Sequence, residues 1–160
     1  LSSLCPLRLC GKYIYMNNII IKQATSPQEF EAIRQIREIV FQKEQGVDAK
    51  LDFDGKDETS DRLIASLDGT FIGTVRIRYL GANLAKIERL AVLETARGYG
   101  IGKKLMLHAL DIIKSKNIPE VVIHAQEYIK SLHEQIGFKI EGDVFEEAGI
   151  RHVKMRKLLE

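Results

Sequence analysis

The chain has 160 residues, 45% apolar and 29% charged, with a net charge of only +2. That balance suits one globular domain with a real core and removes any bulk electrostatic case for nucleic acid. Tryptophan is absent and aromatic residues make up 7%, which disfavours base stacking, and no apolar run approaches the roughly 20 residues of a membrane span.

Cys5 and Cys10 both lie near the beginning of the sequence. They have no zinc-ligand spacing, a disulfide between them would close too small a loop to stabilise a domain much, and a core without cysteine fits a reducing cytoplasm. Residues 1–15 mix apolar and basic side chains, and Pro6, Arg8 and Gly11 interrupt any signal-peptide core. They read as an extension before a start at Met16, or as an arm packed on the domain or a partner. Residues 16–160 read as a single domain.

Ile19-Ile20-Ile21 is a β-branched run that predicts a strand. Ser26-Pro27-Gln28-Glu29 is a helix start, with Ser as cap, Pro in the first turn and Glu at the third position. Phe30, Ile33, Ile36, Arg37 and Val40, with Phe41 adjoining, mark one helical face as far as about Gln42. Residues 43–60 read as a long acidic loop with room for one helical turn. Leu63–Leu67, the turn Asp68-Gly69 and Phe71–Tyr79 predict a hairpin, Val75, Ile77 and Tyr79 alternating against Arg76 and Arg78. A strand follows at Lys86–Val92. A helix runs from about Gly100 to Ser115 with Ile101, Leu105, Ala109, Ile112 and Ile113 inward, and Val121-Val122-Ile123 suits a buried central strand. A helix of about Tyr128–Ile136 closes at Gly137, and strands fit Phe138–Val144 and His152–Lys157. The order β-α-β-β-β-α-β-α-β-β predicts an α/β (α+β) fold with a mixed, largely antiparallel sheet.

Between the strand ending at Val92 and the helix after it lies Arg97-Gly98-Tyr99-Gly100-Ile101-Gly102. Glycines at alternate positions let the backbone turn tightly and approach a ligand, and the helix adds unpaired N–H groups and the positive end of its dipole. The combination suits a phosphate or pyrophosphate, although a plain tight turn has the same composition. Two common phosphate loops fail on spacing. A Walker loop would need glycine at Arg97 and Ser or Thr at Lys104, and a G-x-G-x-x-G fingerprint begun at Gly98 would end at Lys103.

What remains, Arg97-x-x-Gly100-x-Gly102, resembles the Q/R-x-x-G-x-G/A pyrophosphate loop of the GNAT superfamily of acetyl-CoA-dependent N-acetyltransferases. Ile87–Val92 resembles that family's fourth strand, and Ser131–Phe138 its late helix and closing Gly-Phe. The likeness covers roughly residues 17–158. Glu44–Val47, His124–Gln126 and Glu147–His152 look like a group of small bacterial members. The resemblance implies a GNAT fold, its fourth and fifth strands splayed to admit cofactor and its sheet flanked by helices. It implies acetyl-CoA as co-substrate without a metal, and direct transfer in a ternary complex to a small-molecule or protein amine. Gly98, Tyr99, Gly100, Ile101, Gly102 and Lys103 would hold the pyrophosphate mainly through the main chain, with added charge from Arg97 and Lys103. Leu90, Ala91 and Val92 would meet the pantetheine arm. Homodimers are usual among similar proteins. The alternative is a non-catalytic acyl-CoA-binding module.

Glu88 is the candidate acid for catalysis. An amine must be unprotonated to attack, members of the family often use a glutamate on this strand, and a salt-bridged Glu88, with Arg76 or Arg89, is the competing reading. The family frequently has tyrosine four residues before the Gly of Gly-Phe, to protonate the leaving thiolate; here that residue is His133. His133 either replaces it, near neutral pH as an imidazolium, or is a surface residue. Glu44, Asp52, Asp54 and Asp57 could recognise a cationic amine or form a solvated acidic loop. His124 and His152 read as buried, hydrogen-bonded histidines with no metal set.

Overall fold

The computed structural model describes residues 18–160, together with the backbone of two short antiparallel strands, Leu7–Leu9 (β1) and Lys12–Ile14 (β2). The expected extension before Met16 otherwise lies outside the described residues.

The first helix forms where its cap chemistry predicts. Ser26 Oγ accepts from the Glu29 N–H (3.2 Å), Glu29 Oε2 accepts from the Ser26 N–H (3.1 Å), and Pro27 occupies the first turn of α1, Pro27–Arg37. The helical run ends close to the expected Gln42, but not as regular α-helix. It widens into a π-helical segment, Glu38–Glu44, that keeps Val40 and Phe41 buried, and Gly46 turns the chain just beyond it at φ +69°. The following loop holds the anticipated helical turn, α2 (Ala49–Asp52), capped by Asp48.

The main sheet comprises β3 (Ile19–Gln23), β4 (Asp61–Leu67), β5 (Thr70–Tyr79), β6 (Leu84–Val92), β7 (Glu120–Gln126), β8 (Lys139–Ile140), β9 (Phe145–Glu147) and β10 (Ile150–Leu158). Its order is β3-β4-β5-β6-β7-β10-β8, with β9 paired to β10. β6 and β7 run parallel and the other pairs antiparallel, which is the mixed, largely antiparallel sheet expected. Asp68 (φ +49°) and Gly69 (φ +85°) turn the β4–β5 hairpin. The last strands divide more finely than the sequence suggests, because Ala148 and Gly149, at φ +52° and +74°, make a second tight hairpin between β9 and β10.

Helix α3, Ile101–Ser115, crosses from β6 to β7 and covers one sheet face: Leu63, Ala65 and Val75 pack with Ile101, Leu105, Ala109 and Ile113. Helix α1 covers the other, where Ile64 meets Ile33, and Ala91 meets Ile36 and Val40. A sheet covered on both faces explains a departure from simple alternation in β5. Arg76, expected to face outward, is 1% exposed. The late helix is shorter than predicted, a 3-10 turn at Glu127–Ile129 followed by α4, Lys130–Gln135, and Gly137 closes it at φ +95°.

Candidate active site

β6 and β7 pair only through Leu84–Lys86 and Glu120–Val122, after which the two strands part. The opening deepens through a defect in β6. Thr74 faces Ala91 and Arg76 faces Glu88, so Val75 stands opposite both Arg89 and Leu90, a β-bulge. Arg89 takes φ +59°, an unfavourable region for a side chain of its size. Its guanidinium steadies the bulge by donating to Leu51 O (2.8 Å), Asp52 O (3.3 Å) and Asp54 Oδ2 (3.3 Å).

A cavity of about 800 Å³ occupies the split. Its wall is made by Gly98, Gly100, Ile101, Gly102 and Lys103 of the glycine loop and helix start, by Leu90, Ala91, Val92, Leu132 and His133, and by Glu88, Lys86, Arg78, His124 and Gln126. The sequence-derived candidates thus converge on one space, with Tyr99 the exception: its side chain is half exposed and does not belong to the wall. In the glycine loop, Gly98 and Gly100 have φ of +89° and +73°, and a Cβ built on either would meet no atom within 4 Å. Gly100 caps α3 without a side-chain acceptor, and no acidic residue sits in the first turn. The first intrahelical bond runs from Lys104 N–H to Gly100 O (3.1 Å), so the N–H groups before it lack helical partners. Space, unpaired donors and a positive dipole end fit a pyrophosphate. Arg97 contributes differently from expectation. Its Nε donates to Val92 O (3.0 Å) and its Nη2 pairs with Glu44 (2.8 Å), so it holds the loop in shape.

Glu88 lies in the split and is indeed salt-bridged, and more extensively than the sequence suggests. Its carboxylate has Arg78 at 3.1 Å, Arg76 at 3.3 Å, Arg89 at 3.7 Å and Lys86 at 3.9 Å. Burial would raise its pKa, but Arg76 with Lys86, Arg89 and Arg78 outweighs that and holds the carboxyl below its ordinary range.

His133 is not on the surface. It is 3% exposed, its Nδ1 is buried without a hydrogen-bond partner, and its ring stands edge-on to Phe138 at 6.1 Å. Burial pushes its pKa down to about 4, so near neutral pH the ring is a neutral imidazole and the expected imidazolium is corrected.

Three of the loop acids, Asp52, Asp54 and Asp57, are bonded to arginine rather than left free for an amine, while Glu44 is paired with Arg97 and Asp48 and Glu58 stay exposed. Arg37 Nε and Nη2 donate to Asp52 Oδ1 at 3.0 and 2.9 Å, and Arg37 Nη1 donates to Asp57 at 2.8 Å. Arg76 donates to Asp54 (2.8 Å) and Asp57 (3.0 Å). The bond from Arg76 holds the Asp54 carboxyl well below its usual range. Asp57 is also lowered, since Arg37 and Arg76 overcome its burial. This lattice straps the loop over the cavity. The sequence carried one trace of it, Arg37 on the apolar face of α1.

Across the cavity, Gln45 and Gln126 exchange hydrogen bonds of 2.8 and 3.3 Å. His124 Nδ1 lies 3.2 Å from Glu147 and 3.4 Å from Lys86 Nζ, and His152 Nδ1 lies 2.7 Å from Ile150 O. His152 is buried and hydrogen-bonded as read; His124 is only partly so. Among the described residues no three His, Cys, Asp or Glu side chains form a metal-holding group.

A family model described as an acetyltransferase (GNAT) domain matches residues 23–159. YyaT of Bacillus subtilis (strain 168), named an uncharacterized protein, is 31% identical over 140 residues, covering 86% of this chain and 94% of its own. The crystal structure of an acyl-CoA N-acyltransferase from Pseudomonas aeruginosa superposes with a TM-score of 0.77 at 26% identity, over 88% of this chain and 99% of that one. Escherichia coli ElaA superposes with a TM-score of 0.77 at 25% identity, over 89% and 99%. The family match runs through every element that walls the cavity, and the chain belongs to the GNAT acetyltransferases: it is an acyltransferase enzyme.

Proposed function

We propose that residues 16–160 form one domain that transfers acetyl from acetyl-CoA to an amine by direct attack in a ternary complex. One observation carries the reading. A single continuous cavity joins an uncapped, glycine-lined helix start to a buried carboxylate, with a bulged strand between them. When bound, acetyl-CoA supplies the thioester carbonyl.

The protein's own residues then divide the work. Main-chain N–H groups of Gly98 through Lys103, Tyr99 included, bind the pyrophosphate. Leu90, Ala91 and Val92 line the pantetheine arm, with the Leu90 main chain displaced by the bulge. Glu88 handles the amine proton. Held ionised by its cations, it is a weak base in its own right and is better suited to orient the water that carries the proton away than to retain it. His133 contributes a neutral ring to the cavity wall toward the leaving sulfur. One cavity joins these groups, which suits attack without a covalent enzyme intermediate.

Glu88→Gln tests the assignment. CoA affinity by calorimetry should be retained while turnover of an identified amine falls roughly 10²- to 10⁴-fold. Wild-type turnover would make Glu88 structural.

A further inference from the structure

We propose that the acceptor amine also carries a carboxylate, bound by Arg78 and Lys86, so that the substrate class is an amino acid or a close analogue. The inference rests on the acetyl-transfer reading above and names the other half of the same site.

Charge accounting in the cavity wall carries it. Arg37, Arg76 and Arg89 are matched by Asp52, Asp54 and Asp57 in the buried lattice. Among the described residues, Arg78 and Lys86 have Glu88 as their only carboxylate within 4 Å, and Arg76 and Arg89 border it too. Two cations therefore share one anion that is already shared. Both are largely withdrawn from solvent, their side chains 23% and 16% exposed, and both face the cavity.

Their donors are underused. A guanidinium has five N–H groups and an ammonium three. Arg78 makes one hydrogen bond among the described residues, to Glu88 at 3.1 Å. Lys86 Nζ reaches His124 Nδ1 at 3.4 Å and lies 3.9 Å from Glu88, outside hydrogen-bonding distance. Surplus positive charge withdrawn from water is unfavourable unless an anion meets it. A bound carboxylate would supply the missing acceptors and balance the charge.

The same accounting disfavours a polycationic acceptor such as a polyamine. The three loop aspartates are bonded to arginine, and the further wall acid, Glu147, is half exposed and already faces His124 and His152. Arg78 and Lys86 both border Glu88. A ligand carboxylate on them leaves the ligand's amine to be presented beside Glu88, and the few bonds between carboxylate and amine in an amino acid suit that spacing.

The test compares kcat/KM for a panel of amino acids with that for the amines lacking only the carboxylate. At least one amino acid should be preferred about tenfold or more over its decarboxylated counterpart. Lys86→Met and Arg78→Met should each lower that ratio about tenfold, and Lys86→Arg should largely restore it. CoA binding by calorimetry reports that each variant is folded. A diamine or monoamine preferred over every amino acid, or a preference that survives both methionine substitutions, would overturn this inference and leave acetyl transfer standing. No turnover of any amine by a CoA-binding protein would overturn the acetyl-transfer reading, and the carboxylate site with it.

Discussion

His133 has an ordinary residue type in a costly place. Its ring is buried beside Phe138 with one nitrogen unpaired, and its pKa falls to about 4. An unfolded histidine titrates near 6.5, so between those values the unfolded chain binds the extra proton, and stability must fall as pH drops through that window. The loss amounts to about 2 kcal/mol between pH 7 and pH 5. The strongly paired carboxylates do not share this window, since depressed acids begin to lose their contribution only near their unfolded pKa, about 4. Urea denaturation at the two pH values should therefore show a drop that His133→Tyr removes. An equal drop in the variant would place the titration elsewhere. In kinetics, His133→Ala should lower kcat about 10-fold or more without creating or removing a limb near pH 6.5, because the ring is neutral there. A limb that disappears with the side chain would restore the imidazolium donor. Position alone identified this residue. Its burial, and so its protonation state, depends on how α4 packs, which no local pattern reports.

At the scale of elements, α1 and the loop after it behave as one unit. The start of α1 was readable because the cap is local: Ser26, Pro27 and Glu29 satisfy each other within a single turn, and Lys22 pairs with Glu29 from β3. The change to a π-helix was not readable, because the spacing that puts Val40 and Phe41 on the buried face does not tell a π turn from an α turn, and their contacts with Ile36 and Ala91 exist only in the folded chain. Nor was the ordering of the acidic loop, whose aspartates need guanidinium groups from α1, β5 and β6, at sequence separations of 15 to 37 residues. Asp52→Ala tests this strap. It would leave Arg37, which is fully buried, without its main partner, and should cost about 3 kcal/mol in urea denaturation. Acceptor KM should rise as the wall loosens, while CoA affinity, set by the glycine loop and helix start, changes little. A cost under about 0.5 kcal/mol would mean that Asp57 alone holds the loop.

At the scale of the whole molecule, the decisive feature is a sheet that is joined at one end and open at the other. β6 and β7 share three register pairs, and everything beyond them lines the cavity. A ligand seated between the two halves links them and should stabilise the fold by about 2.7 kcal/mol at a hundred times its Kd, an upward shift in Tm of roughly 5–10 °C. Gly100→Val should abolish most of that shift: φ +73° is unfavourable for valine, and its side chain would project into the space kept clear at the helix start. A full CoA-induced shift in Gly100→Val would remove the glycine loop from the binding site.

Sequence by itself determined the element order, the capped start of α1, the hairpin turn at Asp68-Gly69 and the glycine loop, because each is written in neighbouring residues whose backbone preferences need no distant partner. It also placed Glu88 and His133 at motif positions. Tertiary structure alone decided what those positions mean. Pairing across the sheet produced the bulge at Arg89, burial on both faces turned Arg76 inward, and packing of α4 neutralised His133. Cations converging on Glu88 from β5 and β6 set its charge and left Arg78 and Lys86 with unfilled donors. Those outcomes follow from desolvation and charge pairing between residues far apart in the chain, and such energies exist only once the chain has folded.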